Sequence, residues 1–164
     1  MSDNKEIFES LYHEYHPMVL QLCRGYMKGD VDLARDLVQE VFINTWSALQ
    51  KFRNEAAYKT WIYRITVNTC LNYIRDRKNK LSFQINEDQY ACPAEETTFS
   101  SEKHHEILYH AIGQLKEVDR LIIMMVLDEL AYEEISTIMG MSEGAVRVRI
   151  SRIKKKLKKI MENG

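Results

Sequence analysis

Glycine and proline are scarce in this chain, with six Gly and two Pro among 164 residues. Both residues punctuate hairpins and tight loops. Their low count, with few alternating β-branched runs, argues against a strand-and-turn fold and predicts an all-helical protein. Cysteine is equally thin. Cys23, Cys70 and Cys92 are odd in number, widely spaced and without a CxxC pair. That excludes a disulfide framework and predicts reduced thiols in a cytoplasmic protein. No apolar run approaches 18 residues, and the opening Met1-Ser2-Asp3-Asn4-Lys5-Glu6 is polar. On that reading the chain has neither a membrane span nor a secretory signal. Net charge is also nearly absent, since 23 basic against 24 acidic groups leave −1. A uniformly basic nucleic-acid binder is therefore excluded. A hydrophobic fraction of 45% is present, enough to bury cores and too much for a disordered tail.

The near-zero total conceals a segregation of charge. Residues 1–80 carry +2, residues 81–103 carry −4, residues 104–141 carry −5 and residues 142–164 carry +6. A terminal segment at +6 beside acidic ones suggests a localised anion-binding surface. A solvated lysine-rich helix end, favoured by the helix dipole, has the same charge count. Charge alone does not separate the two.

Spacing organises the chain into helices. Ile7, Phe8, Leu11, Tyr12, Tyr15, Val19, Leu20 and Cys23 step by three and four along a helix over 5–28, with Pro17 expected to kink or break it. Gly29-Asp30 marks a stop and restart. A second helix over 31–49 places Ala34, Leu37, Val38, Val41, Phe42, Trp46 and Leu49 on one face and Asp36, Gln39, Glu40, Asn44 and Ser47 on the other. A third over 56–77 carries Trp61, Ile62, Ile65, Leu71 and Ile74, is expected to break near Asn68, and ends in the basic run Arg75 to Lys80. Periodicity then stops. Residues 81–103 are polar and acidic and read as a flexible linker, so that two small domains, 1–80 and 104–164, share a tether. The second half resumes with helices through Ile107 to Leu115 and from Glu117 to Leu127.

Residues 131–152 carry the sharpest motif. Ile135, Ile138 and Met139 form the apolar face of a short helix, and Gly140 stands where a helix end needs a left-handed residue. Met141 fits the turn as a plug, and Ser142 is a natural N-cap. Short helix, three-residue turn and capped second helix compose a helix-turn-helix. In the second helix Val146, Ile150, Ile153, Leu157 and Ile160 share one face, opposite Arg147, Val148, Ser151, Arg152, Lys155, Lys158 and Lys159. A recognition helix needs that division, with early residues at base edges and later basic ones on phosphates. Arg147 and Arg152 are the base-reading candidates, because a bidentate guanidinium matches guanine. Ser142, Glu143, Val148 and Ser151 complete the reading face, and Lys155 begins the backbone contacts.

Taken together, the two halves resemble an extracytoplasmic-function (ECF, group four) sigma factor of bacterial RNA polymerase. The first half carries the resemblance in Asp36-Leu37-Val38-Gln39-Glu40-Val41-Phe42 with Trp46, in Trp61 to Asn68, and in Asn72-Tyr73-Ile74-Arg75-Asp76-Arg77. The second half carries it in Tyr132-Glu133-Glu134-Ile135, Met139 to Arg147 and Arg149-Ile150-Ser151-Arg152. The resemblance implies sigma region 2 over 1–80, region 4 over 104–164, and a role in promoter selection and melting. It implies that Asp36, Gln39, Glu40 and Asn44 dock on the clamp helices of the largest polymerase subunit. It implies that Asn68, Asn72 and Arg75 capture the single strand of the minus-ten element, with Arg64, Arg77 and Lys78 on phosphates. Trp61 and Tyr63 are candidates for stacking on bases, with core packing the stronger reading of Trp61. The helix-turn-helix would read the minus-thirty-five duplex. Core polymerase, promoter DNA and an anti-sigma factor are the implied partners. The chain departs from the pattern in having Leu115-Lys116 where a Leu-Pro pair is usual, and Leu130-Ala131 where a glycine is frequent.

Catalytic readings find little support. His13 and His16 are three apart and His105 and His110 five apart, so neither pair has the four-residue spacing of a helical zinc protease site. A zinc held by Cys92, His104 and His105 is the weaker reading of those residues. No phosphate-cradling glycine loop and no nucleophile elbow occur. No enzyme activity, metal or cofactor is expected. A stand-alone helix-turn-helix regulator, which would bind DNA tightly without polymerase, is the alternative; a helical adaptor that ignores DNA is a further one.

Overall fold

A computed structural model describes residues 2–54, 57–81 and 100–163. Among them are seven helices: α1 (Ser2–Tyr26), α2 (Val31–Leu49), α3 (Tyr58–Leu81), α4 (Ser100–Gly113), α5 (Glu117–Leu127), α6 (Tyr132–Met139) and α7 (Glu143–Asn163). The all-helical expectation holds. Helix α1 does not break at Pro17, which lies inside it on the exposed side. The hydrogen bond that proline removes is thus lost where water can replace it. Helix α3 likewise runs through Asn68 without interruption. The aperiodic stretch 81–103 is shorter at both ends than expected, since Leu81 closes α3 and Ser100 to Lys103 open α4. Residues 82–99, with Cys92, lie outside the described residues.

Helices α1 to α3 pack through Val19, Leu22 and Cys23 of α1, Leu37, Val38, Val41 and Phe42 of α2, and Ile62, Val67 and Cys70 of α3, all buried. Each such aliphatic or aromatic side chain contributes about 1.5–3 kcal/mol on leaving water. The connection from α1 to α2 turns at Lys28 and Gly29, both at positive φ, and Asp30 caps α2 by accepting the Leu33 N–H at 3.0 Å. Threonines inside this core cause no polar debt. Thr45 and Thr66 donate to the carbonyls of Val41 and Ile62, one turn back, at 2.8 and 2.7 Å. The second core joins Ala111, Ile112 and Leu115 to Leu121 and Ile122 of α5, Ile135 of α6, and Val146, Ile150 and Ile153 of α7.

Trp46 departs from the expected core face. It is 43% exposed and rests edge-on against Phe8, 5.2 Å between ring centroids. Trp61 lies partly buried against Phe52 at 4.7 Å, in agreement with the packing reading.

The two helical groups touch each other. Helix α5 lies against α1, and α6 lies against α3. Arg120 of α5 is only 4% exposed and donates to the Tyr26 carbonyl at 2.9 Å and to the Leu115 carbonyl at 2.8 Å. Its guanidinium also lies 5.0 Å from the centre of the Tyr26 ring. A cation placed at the carbonyl end of α1 is favoured by the helix dipole as well.

Candidate nucleic-acid interface

The helix-turn-helix forms as its residues dictate. Gly140 takes φ 67°, which lets the chain turn out of α6 without the steric cost a side chain would bring. The Ser136 hydroxyl donates to the Met141 carbonyl at 2.5 Å, fixing the turn, and Met141 packs partly buried against the core. Ser142 caps α7 by accepting the Ala145 N–H at 3.2 Å. At the start of α6, Glu134 accepts the Ala131 N–H at 3.2 Å.

Along α7 the two faces separate as expected. Val146, Ile150, Ile153 and Leu157 are buried, whereas Ser142, Glu143, Arg147, Val148, Ser151, Arg152 and Lys155 are exposed, with Lys158 and Lys159 beyond them. Val148 is 52% exposed, unusual for a valine on a helix whose other branched aliphatics are inside. Not every cation on this helix is equally available. Arg149 donates to Asp119 at 2.6 Å, a bond that ties α7 to α5. Arg147 donates to Glu143 at 2.8 Å, one turn back, and lies 5.6 Å from the Tyr132 ring centre. Glu143 therefore holds the Arg147 side chain at the N-terminal end of α7.

A second polar stripe runs down α3. Arg64, Asn68, Asn72 and Arg75 follow one another by four, four and three residues, and all four are exposed, as is Arg77. The side chain of Lys78 lies outside the described residues. The buried face beneath this stripe carries Ile62, Tyr63, Thr66, Val67 and Cys70. Burial raises the pKa of the Cys70 thiol, with Cys23 beside it, so that it stays protonated and unreactive. Tyr63 is not placed to stack on a base. It is buried, and its hydroxyl donates to the Asp128 carboxylate of α5. Arg64 also reaches across, donating to the Thr137 carbonyl of α6 at 3.3 Å.

On α2, Asp36, Gln39, Glu40 and Asn44 all lie on the exposed side. The Asn44 amide is engaged, donating to the Thr69 hydroxyl of α3 at 3.0 Å, so that residue also joins two helices. Periodicity did not single out Ile43, which stands 64% exposed beside Glu40 and near Trp46. The signal was there: Ile43 falls outside the three-and-four stepping of the α2 apolar face. Arg120 was missed as well, although an arginine directly before Leu121-Ile122-Ile123-Met124-Met125 invites the question of what it satisfies. Among the described residues no group of His, Cys, Asp and Glu is arranged to hold a metal ion, and no helix is long and apolar enough to cross a membrane.

A capped recognition helix in one domain, and an exposed arginine-and-asparagine stripe on a helix of the other, define the class: a two-domain helical DNA-reading factor. Comparison with known proteins makes it specific. Residues 11–80 match the model of sigma-70 region 2, and residues 105–157 match that of sigma-70 region 4. The chain is 35% identical over 165 residues to the ECF RNA polymerase sigma-E factor of Escherichia coli strain K12, covering 91% of this chain and 83% of that one. It is 33% identical, over 91% of this chain and 84% of the relative, to the ECF RNA polymerase sigma-E factor of Haemophilus influenzae. Among solved structures, RpoE in complex with the anti-sigma factor NepR from Bartonella quintana superposes with a TM-score of 0.76 at 20% identity, over 96% of this chain and 98% of that one. CnrH in complex with the cytosolic domain of CnrY gives 0.71 at 21%, over 99% and 92%. The chain belongs to the sigma-70 family, as an ECF sigma factor, and serves promoter-directed initiation of transcription.

Proposed function

We propose that three surfaces of this sigma factor divide the work of initiation. The exposed side of α2, with Asp36, Gln39, Glu40 and Asn44, docks on the clamp helices of the polymerase largest subunit, and Ile43 and Trp46 add apolar area beside them. A polar surface with a few exposed apolar side chains suits an interface that must form and dissolve. The α3 stripe of Arg64, Asn68, Asn72, Arg75, Arg77 and Lys78 holds the opened minus-ten strand, the amides meeting bases and the cations phosphates. The exposed face of α7 reads the minus-thirty-five duplex, with Arg147 and Arg152 at base edges and Lys155 on the backbone. Residues 1–80 and 104–164 then act as regions 2 and 4, joined through 81–103. The chain works in the cytoplasm as a specificity subunit, and bond-making chemistry stays with the polymerase.

The relatives named above in complexes, RpoE with NepR and CnrH with CnrY, support an anti-sigma factor as a further partner here. One observation carries the reading above all: the capped α7 with an exposed basic face, in a chain whose other domain bears a separate arginine-and-asparagine stripe. Run-off transcription on genomic fragments with purified bacterial core polymerase tests it. Discrete new start sites that depend on the protein are expected, and they share two sequence elements. No initiation together with no binding to core would refute it in favour of a stand-alone regulator.

A further inference from the structure

One branched side chain on α7 is out of place by the rules that sort the others. Val146, Ile150 and Ile153 are 0%, 2% and 2% exposed, whereas Val148 is 52% exposed. An isopropyl group left that far in water contributes little burial to the fold. A β-branched residue also favours helix less than the arginines and lysines around it. Folding alone therefore gives no account of a valine at this position.

Its place on the helix is specific. At 100° per residue, Gly144, Val148, Ser151 and Lys155 fall within about 40° of the line opposite the apolar face, and Arg147 and Arg152 stand about 60–80° to either side of it. The bond to Glu143 and the Tyr132 ring, 5.6 Å from the guanidinium, keep Arg147 on the α6 side of that line. Val148 is thus at the foremost part of the exposed face, between cations. Gly144, one turn before it, is the second residue of α7. A Cβ added there would meet nothing within 4 Å, and its φ is not left-handed. Neither a turn nor internal packing asks for glycine, although glycine costs helix stability relative to alanine. What the missing side chain provides is room for an outside surface to come close to the helix.

We propose that Val148 is a specificity-determining residue that reads a thymine of the minus-thirty-five duplex, its isopropyl group packing on the thymine C5-methyl in the major groove, with Gly144 admitting the base-pair edge to that depth. The inference deepens the assignment of α7 to that duplex and rests on it. Among the groups that bases present in the major groove, the thymine methyl is the apolar one. The other edges offer donors and acceptors, which a valine would desolvate without pairing. The flanking cations Arg152 and Lys155 are exposed and complement the phosphates, so general affinity comes from them and discrimination at this step from Val148.

The test uses holoenzyme assembled from core polymerase and the full chain, on a promoter fragment located by run-off transcription. Each thymine of its minus-thirty-five element, on either strand, is replaced in turn by deoxyuridine, which removes the methyl and keeps the base pair. Competition with the unmodified fragment reports relative affinity. With the wild-type chain, one position should weaken binding about fourfold, the worth of one methyl group withdrawn from water, and the others should matter little. Val148→Ala should bind the unmodified fragment severalfold more weakly, and deoxyuridine at the sensitive position should then cost little more. Gly144→Ala separates folding from binding: the thermal midpoint should rise by about 2 °C while promoter affinity falls severalfold. An element without an A·T pair overturns the proposal, as does a wild-type chain indifferent to every deoxyuridine. So does a deoxyuridine effect that survives intact in Val148→Ala. A Gly144→Ala chain that is stabilised and binds like wild type overturns the close approach at Gly144. If Arg152→Ala and Lys155→Gln also leave affinity unchanged, the assignment of α7 to the duplex falls; if those two weaken binding and no deoxyuridine matters, only the reading of thymine by Val148 falls.

Discussion

Replacing Arg120 by methionine tests how far the two domains form one cooperative unit. The guanidinium makes charged hydrogen bonds to two carbonyls, Leu115 in its own domain at 2.8 Å and Tyr26 in the other at 2.9 Å. Each is worth about 1.5–3 kcal/mol, and the contact with the Tyr26 ring adds about 1 kcal/mol. Against this stands the cost of desolvating a guanidinium, several kcal/mol in a site 4% exposed, the same burial that lowers the Arg120 pKa. Methionine of similar length removes that cost but leaves both carbonyls without the cation. The balance is a loss of about 2–3 kcal/mol, roughly half of it across the contact between the two domains. For a chain of this size that lowers the melting midpoint by about 5–10 °C. Differential scanning calorimetry should show more than a shift. The wild type is expected to unfold in one transition, and Arg120→Met in two, as the domains lose their shared link. Arg120→Lys, which keeps the charge but reaches one carbonyl, should fall between them. A single transition within about 2 °C of wild type for Arg120→Met would refute the role of this residue in coupling the domains.

Three other expectations follow from the same geometry. Arg152→Ala in the holoenzyme should cost about 1–3 kcal/mol at the cognate minus-thirty-five element and little elsewhere, whereas Lys155→Gln should weaken all sequences alike and reduce the log–log salt slope by about 0.9, both readable by fluorescence anisotropy across a salt series. Asn44→Ala should lower stability by about 1 kcal/mol through loss of the Thr69 bond and weaken core binding less than Glu40→Ala does; denaturant unfolding and a core-binding titration separate the effects. Burial raises the Asp128 carboxyl above its ordinary value, against the lowering effect of Lys59 and with some help from Glu129. Protonation therefore favours the folded chain: its contribution is full below the ordinary carboxylate pKa and is lost as pH rises through the raised one, so the thermal midpoint should decline over that interval in wild type and stay flatter in Asp128→Asn.

Much of the fold was legible because its signals are local. The α2 boundaries and the α6–turn–α7 layout follow from Asp30, Gly140 and Ser142, whose capping and left-handed geometry act over three or four residues. The exposed stripe on α3 and the divided faces of α7 follow from period alone. Pro17 misled in the other direction. A proline inside a helix predicts a break, but the lost bond lies on the solvent side and the apolar face of α1 continues past it through Val19, Leu22 and Cys23. Trp46 misled because helical phase puts it on the apolar side without showing that it stays 43% exposed, resting edge-on against Phe8. The contact between the two domains was the least legible feature. Arg120 looks like a surface charge and Asp128 like a helix end until their partners, 94 and 65 residues away, come into place.

The balance of charge gains meaning from the same arrangement. The α7 segment, 142–164, carries +6, while 104–141 in the same domain carries −5, so region 4 presents nearly no net attraction at a distance. Close to its surface the picture differs. Arg149 is neutralised by Asp119 and the exposed Arg147 is paired with Glu143, which leaves Arg152 and the lysines from 154 to 159 as the exposed cations of this helix outside those two pairs. At physiological salt the Debye length is about 8 Å, so those cations act at contact and not as a long-range steering field. Such a domain gains little from non-specific duplex, whose binding is almost wholly electrostatic. A factor that must be delivered to promoters by polymerase benefits from that weakness, because a strongly basic region 4 would hold the free protein on bulk DNA. Glu143 fits the same logic. On the proposed assignment of Arg147 to a base edge, the Glu143 carboxylate lowers the average attraction to phosphate while holding that side chain in place, so Glu143→Gln should strengthen binding to random duplex and narrow the ratio between cognate and random sites. Competition of the holoenzyme between a cognate promoter and random duplex measures that ratio, and an unchanged ratio would show that Glu143 neither restrains nor positions Arg147.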